Sequence, residues 1–181
     1  MIQEACRYIR RHTDEPVSLR ELATRAVLSP FHFQRTFKAV AGVTPKEYAA
    51  ACRLDDLKTR LKRGSAVTTA IYDAGYGSSS RLYERAGSRL GMTPRQFGRG
   101  GAGVSMSYAC ARTPFGLMMI AATDRGLCSV QFGEDDDNLL SSLRAQYPNA
   151  AIERMRTPFP KEFTDWMKAL VRHLEERGRP L

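Results

Sequence analysis

Gln34 and Arg35 stand side by side in "SPFHFQRTFKAVAG" (residues 29–42), with His32 just before them and Lys38 just after. An amide and a guanidinium are the side chains that bridge two atoms on the edge of an adenine or a guanine. Phe33, Phe37 and Val40 fall at spacings of four and three, so a helix through this stretch turns them toward a core. His32, Gln34, Arg35 and Lys38 then face outward. Phe31 is a large apolar residue near the helix start, placed to touch a base or a thymine methyl. Forty-nine residues on, "SSSRLYERAGSRLG" (78–91) repeats the layout. Leu82 and Ala86 take the core positions there, and Ser79, Ser80, Arg81, Glu84 and Arg85 form the outward edge. Glu84 could accept from cytosine N4 or pair within its own helix. Tyr83 covers backbone or packs, and the sequence leaves both open.

These edges need helices to carry them, and the first hundred residues supply the signals. "IQEACRYIRRH" sets Ile2, Cys6 and Ile9 on one face. Ser18 and Glu21 form an S-x-x-E capping box, and Ser29-Pro30 is a cap followed by proline at the first helical position. Gly42 ends that helix. Thr44-Pro45-Lys46-Glu47 opens a long helix running to about Arg63. "VTTAIYDAG" and Ser78 to Leu90 give two more, and Thr93-Pro94-Arg95-Gln96 caps a last short one. Seven helices without a strand signal make residues 1–98 all-α, as a helix-turn-helix written twice. "LRELATRAVLS" aligns with "TTAIYDAGYGS" at the same offset as the rest. The outward positions differ between copies because two readers in one chain meet different bases. If the long helix sets them one DNA turn apart, about 34 Å, one monomer reads two successive major grooves. Lys58, Arg60, Lys62 and Arg63 crowd its end, as phosphate contacts or as cations complementing the helix dipole.

"GRGGAG" (98–103) breaks the helical pattern and is expected to be a flexible linker over 99–104. Beyond it the period changes. "SYACART", "LMMIAAT" and "LCSVQF" are three short strands joined at Pro114-Phe115-Gly116 and Asp124-Arg125-Gly126. "DDDNLLSSLRAQYP" is a helix with acidic residues in its first turn, and "AIERM" is a fourth strand. Phe163, Trp166, Met167, Leu170 and Leu174 make an amphipathic helix ending at Gly178. Residues 105–181 are therefore α/β.

Charge divides along the same line. The chain has 181 residues and a net charge of +9, and its first 103 residues hold 18 of the 28 Lys/Arg but only 9 of the 19 Asp/Glu. All of the excess positive charge lies in the helical half, which implies a polyanionic partner for that half. No apolar run approaches the ~20 residues of a membrane span, and the charged start has no secretory h-region. Cys6, Cys52, Cys110 and Cys128 form no C-x-x-C pair, which suits a reducing cytoplasm. All four sit on apolar faces with no adjacent histidine, so structural burial is expected of them. His12, His32 and His173 are isolated, and "EDDD" (134–137) is a charged helix start. No catalytic residue, metal ligand or cofactor is expected.

"DAGYGSSSRLYERAGSRLGMTPRQF" in a double helix-turn-helix resembles the DNA-binding domain of AraC-type transcription regulators. "ACRYI", "SPFHFQRTFK", "TPKEY", "AIYDAGYGSSSRLYE" and "LGMTPRQFGRGG" are most similar to the Ada proteins, bacterial regulators that also repair alkylated DNA. "SYACARTPFGLMMIAATDRGLCSVQFG" resembles the ribonuclease-H-like amino-terminal subdomain of O6-alkylguanine-DNA alkyltransferases. That family takes the alkyl group on the Cys of a Pro-Cys-His-Arg motif in a following subdomain, and no such motif occurs in this sequence. Nor does the family's amino-terminal zinc module.

The resemblance implies a regulator of the alkylation response that binds promoter duplex DNA as a monomer, works with RNA polymerase in the bacterial cytoplasm and nucleoid, and lacks methyl transfer in this form. An unrecognised cysteine acceptor would instead leave it an enzyme. A ligand-sensing or protein-contacting second half would make it an ordinary AraC-type reader.

Overall fold

The computed structural model describes residues 1–76 and 89–177. The chain divides into two compact units, Met1–Leu82 and Tyr83–Leu181.

The first unit is helical throughout its described residues. Helix α1 spans Ile2–Arg11, α2 Leu19–Arg25, α3 Pro30–Ala41, α4 Pro45–Lys62 and α5 Val67–Asp73. The caps expected from sequence are formed. Ser18 Oγ accepts from the Glu21 amide, and Ser29 Oγ from the His32 amide. Thr44 and Glu47 make the full reciprocal box. These bonds satisfy donors that every helix start otherwise leaves unpaired. One core cluster gathers Ile2, Ala5 and Ile9 of α1, Leu22 and Ala23 of α2, and Phe33 and Phe37 of α3, while Leu57 and Leu61 of α4 and Ala70 and Ile71 of α5 are buried outside it. Both phenylalanine rings are fully buried, stabilising the unit by about 2–3 kcal/mol each. Ala5 rather than Cys6 occupies the buried position on α1, and Cys6 packs half-buried beside it. Of the seven expected helices, Ser78 to Leu90 lies outside the described residues except for Arg89 and Leu90, which are helical.

In the second unit, α6 spans Pro94–Gly98, β1 Ser105–Thr113, β2 Gly116–Thr123, β3 Gly126–Gly133, α7 Asp136–Gln146, β4 Ala151–Arg154 and α8 Lys161–Arg177. The sheet order is β3-β2-β1-β4, with antiparallel hairpins β1/β2 and β2/β3 and with β4 parallel to β1. Residues 118–122 of β2 are buried without alternation, because α7 and α8 cover opposite faces of the sheet. Phe163 packs on Ala109, Met118, Ile120 and Ala122, flanked by half-buried Trp166, Met167, Leu170 and Leu174. On the α7 side Tyr147 is buried and donates its hydroxyl to Cys128 O at 3.1 Å.

Residues 98–103 are not a free tether. Asn149 donates its amide to Gly100 O and its side chain to Arg99 O, each at 2.9 Å. Gly101 has φ +81°, and a Cβ there would meet Ala150 Cβ at 2.8 Å. The α7–β4 turn lies directly against this stretch, and only glycine leaves room for that approach. Phe97 of α6 meets Tyr147 edge to face with ring centroids 5.8 Å apart.

Candidate nucleic-acid interface

Helices α2 and α3 form a helix-turn-helix whose second helix is pinned at both ends. Pro30 starts it under the Ser29 cap, and Gly42 at φ +77° ends it with its amide on Lys38 O at 2.9 Å. With Phe33 and Phe37 locked into the core, the opposite face of α3 is fixed in rotation. His32, Gln34, Arg35 and Lys38 are all exposed on it, and Phe31 is 78% exposed. The structure thus brings the five residues expected of the first edge onto one helix face. Neither Arg35 nor Lys38 is drawn into an ion pair among the described residues. The second edge, Ser79, Ser80, Arg81, Glu84 and Arg85, lies outside the described residues.

Val40 is corrected. It is 66% exposed, and Ala41, four residues after Phe37, packs half-buried on the core instead. At this point the core stripe follows i+4 rather than i+3, which leaves Val40 on the outward face beyond Lys38. Val27 is a second apolar residue that sequence spacing did not single out. It occupies the α2–α3 turn at φ +56° and is 90% exposed. A β-branched residue there is a genuine outlier, since its Cβ crowds the following carbonyl.

The backbone bonds of this turn recur in the second copy. Ala26 N–H to Leu22 O, Val27 N–H to Thr24 O and Leu28 N–H to Ala23 O are matched by Ala74 to Ala70, Gly75 to Tyr72 and Tyr76 to Ile71. The step between these pairs is 48 residues. Downstream, Gly42 (φ +77°) matches Gly91 (φ +66°), and the Thr44–Glu47 box matches Thr93–Gln96, both at a step of 49. The single offset expected for the whole repeat is therefore wrong upstream. One extra residue enters the second copy after Tyr76.

Of the basic group at the end of α4, Arg60 is already committed. Its Nε lies 3.0 Å from Asp56 Oδ2 and its Nη1 3.0 Å from Asp73 Oδ2. Lys58 is half-buried, whereas Lys62 and Arg63 are exposed. Glu21 of α2 accepts from Tyr8, and Glu47 of α4 accepts from the Thr44 amide at its helix start. The Tyr8 hydroxyl at 2.5 Å lowers the Glu21 pKa, and the Thr44 backbone amide lowers that of Glu47.

Of the four cysteines expected to be buried, Cys128 is, whereas Cys6, Cys52 and Cys110 are half-buried. Cys110 Sγ donates to Asp136 Oδ1 at 2.9 Å, and burial, then that carboxylate, push its pKa up to about 12. Cys128 is buried with its Sγ on Ala121 O, and burial raises the Cys52 thiol. Neither Cys110 nor Cys52 is a thiolate at neutral pH, the form a nucleophile needs. Asp135 caps α7 through the Asn138 amide, and Asp136 pairs with Arg154 at 2.5 Å. No described helix is long and apolar enough to cross a membrane.

Residues 22–100 match the family described as "Helix-turn-helix domain", and residues 106–177 the family described as "6-O-methylguanine DNA methyltransferase, ribonuclease-like domain". The chain is 37% identical over 180 residues to the "Bifunctional transcriptional activator/DNA repair enzyme Ada" of Escherichia coli, covering 99% of this chain and 49% of that protein. It is 42% identical over 149 residues to the "Regulatory protein ada" of Salmonella typhimurium, covering 82% of this chain and 42% of that one. It thus spans about half the length of these curated relatives or less. Among solved structures it resembles the DNA-binding domain of AdpA, described as a global transcriptional factor in complex with a target DNA. The TM-score is 0.50 at 23% identity, over 54% of this chain and 89% of that one. That likeness is one of fold.

Proposed function

We propose that this chain, which carries an AraC-type helix-turn-helix domain followed by the ribonuclease-like domain of the 6-O-methylguanine DNA methyltransferases, is a sequence-specific DNA-binding regulator of Ada type that serves the alkylation response. The observation that carries this reading is the α3 face. Two buried rings fix the helix, and Phe31, His32, Gln34, Arg35 and Lys38 stand together on its solvent side.

In this reading α3 enters a major groove and Gln34 and Arg35 bond base edges. Lys38 adds phosphate affinity, and Phe31 packs on a thymine methyl. Ser79, Ser80, Arg81, Glu84 and Arg85 form the second edge, which reads the next groove from the same monomer. Residues 1–98 are the DNA-reading part, 99–104 the connection, and 105–181 the ribonuclease-H-like part. The protein acts in the bacterial cytoplasm, on nucleoid DNA, beside RNA polymerase. Methyl transfer from DNA to a cysteine belongs to longer proteins of this type. This chain has no Pro-Cys-His-Arg; Cys110 faces the Asp136 carboxylate, Cys128 is buried on Ala121 O, and burial raises the Cys52 thiol despite its Arg10 neighbour.

Selection of binding sites from random duplexes, followed by titration, tests the proposal. Nanomolar-range binding is expected, weakening about 10³–10⁵-fold from 50 to 200 mM salt if six to ten phosphates are contacted. Gln34→Ala and Arg35→Ala should each relax discrimination at one base pair. Failure to select any sequence, or salt-independent binding, refutes it. Incubation with DNA carrying labelled O6-methylguanine should leave the protein unlabelled.

A further inference from the structure

The loop between α1 and α2 is tied directly to α4 and, through it, to α5. Arg53 of α4 donates Nε to Thr13 O at 3.1 Å and Nη2 to Glu15 O at 3.0 Å. The Thr13 hydroxyl donates to Asp56 Oδ2 at 3.3 Å, and the same oxygen accepts from Arg60 Nε. Arg60 Nη1 then reaches Asp73 Oδ2 at the end of α5. Behind α5, Gly75 lies so close to the loop that a Cβ would meet Thr13 O at 2.3 Å. A run of hydrogen bonds therefore links the loop to α4 and α4 to α5, and the backbone just after α5 lies against the loop again.

Helix α5 has little packing of its own within its span. It is seven residues long, has no side-chain cap at Ala66, and buries only Ala70 and Ile71 within its span. Small apolar contacts hold a helix against its neighbour but define its tilt weakly, because they carry no direction. Hydrogen-bonded ion pairs carry direction, and the Arg60 guanidinium offers separate donors to two carboxylates. The three side chains are 34%, 25% and 42% exposed, in the order Arg60, Asp56, Asp73, so the pairs are partly sheltered from screening.

We infer that Arg60, by bridging Asp56 and Asp73, is a positioning residue. It sets the orientation of α5 against α4, and through it the step between the two reading units and the half-site spacing the chain accepts. The inference rests on the two-unit reading proposed above.

The test uses the full chain, its selected duplex, versions with one base pair added or removed between the half-sites, and a duplex holding only the first half-site. Wild type should bind the altered spacings about tenfold more weakly, the order of one mismatched base pair. Arg60→Ala should cut that discrimination to about twofold and leave the first half-site unaffected, since an exposed or half-exposed pair contributes little to overall folding. Arg60→Lys should behave like Arg60→Ala, because one ammonium cannot span both carboxylates. Asp73→Asn, which leaves the Asp56 pair intact, covers the case of poor folding at position 60. Residual dipolar couplings of α3 and α5 amides, measured without DNA, should fit one common frame in wild type and two in Arg60→Ala. Unchanged spacing discrimination or unchanged couplings in the variants overturn the inference. If wild type binds no duplex, the regulator reading fails, while the couplings still decide whether Arg60 positions α5.

Discussion

Replacing Val27 with glycine should stabilise the first unit. Val27 sits at φ +56° and is 90% exposed, so its side chain contributes almost no burial that could be lost. A non-glycine residue in the left-handed region costs about 1–2 kcal/mol. Glycine removes that strain but returns about 0.5–1 kcal/mol through the greater freedom of the unfolded chain. The net gain is then about 0.5–1 kcal/mol. Val27→Asn, which tolerates the same conformation without the unfolded-state penalty, should gain about 1 kcal/mol. For a unit of this size each kcal/mol raises the melting temperature by about 4–8 °C. Far-ultraviolet dichroism through heating and through urea titration reads the effect. The urea midpoint should rise with an unchanged slope, which separates a change in stability from a change in surface exposed. A lower midpoint for both variants would refute the argument, because it would mean that the side chain supplies packing which its exposure denies.

Further outcomes follow at other sites. Gly75→Ala combines φ +74° with a 2.3 Å approach to Thr13 O and should cost about 3 kcal/mol or more, whereas Gly64→Ala, at φ +84° with nothing within 4 Å, should cost only about 1 kcal/mol by urea unfolding. Cys110, whose pKa is pushed up to about 12, should react with iodoacetamide at pH 8 about a thousandfold more slowly than a free cysteine, and Asp136→Asn should speed it. Since the folded state holds the thiol proton more tightly than the unfolded chain, its contribution to stability is present below about pH 8.5 and is lost as pH rises toward 12. Burial pushes the Tyr147 phenol in the same direction.

What the sequence made legible is what local chemistry dictates. Ser29-Pro30, Thr44 with Glu47, and the 3.6-residue stripe of Phe33 and Phe37 locate α3 and α4 and fix which side of α3 meets solvent. Turn residues and apolar runs located four strands. Tertiary choices were not legible. Val40 and Ala41 both fit a helical stripe, and only the packing decides for Ala41. Nothing in "RAVLS" announces a left-handed valine, whereas glycine marks the matching position in the second copy. The extra residue falls between Tyr76 and Gly91, where the sequence alone offered a single step of 49. Arg60 looked like one cation in a basic group, because its acidic partners sit four and thirteen residues away on two different helices.

The packing around residues 98–103 bears on how such a protein can be recombined. Phe97 covers Tyr147, Gly91 O accepts from the Thr123 hydroxyl, and Gly100 and Gly101 seat the turn before β4. A gene fusion made at the glycines would strip the ribonuclease-like half of contacts that complete it. A successful exchange of that half onto another reader would have to carry at least Gly91 and the residues after it. The heritable module is then longer than its recognisable motif, and it takes with it the last turn of the region that reads as the DNA-binding half.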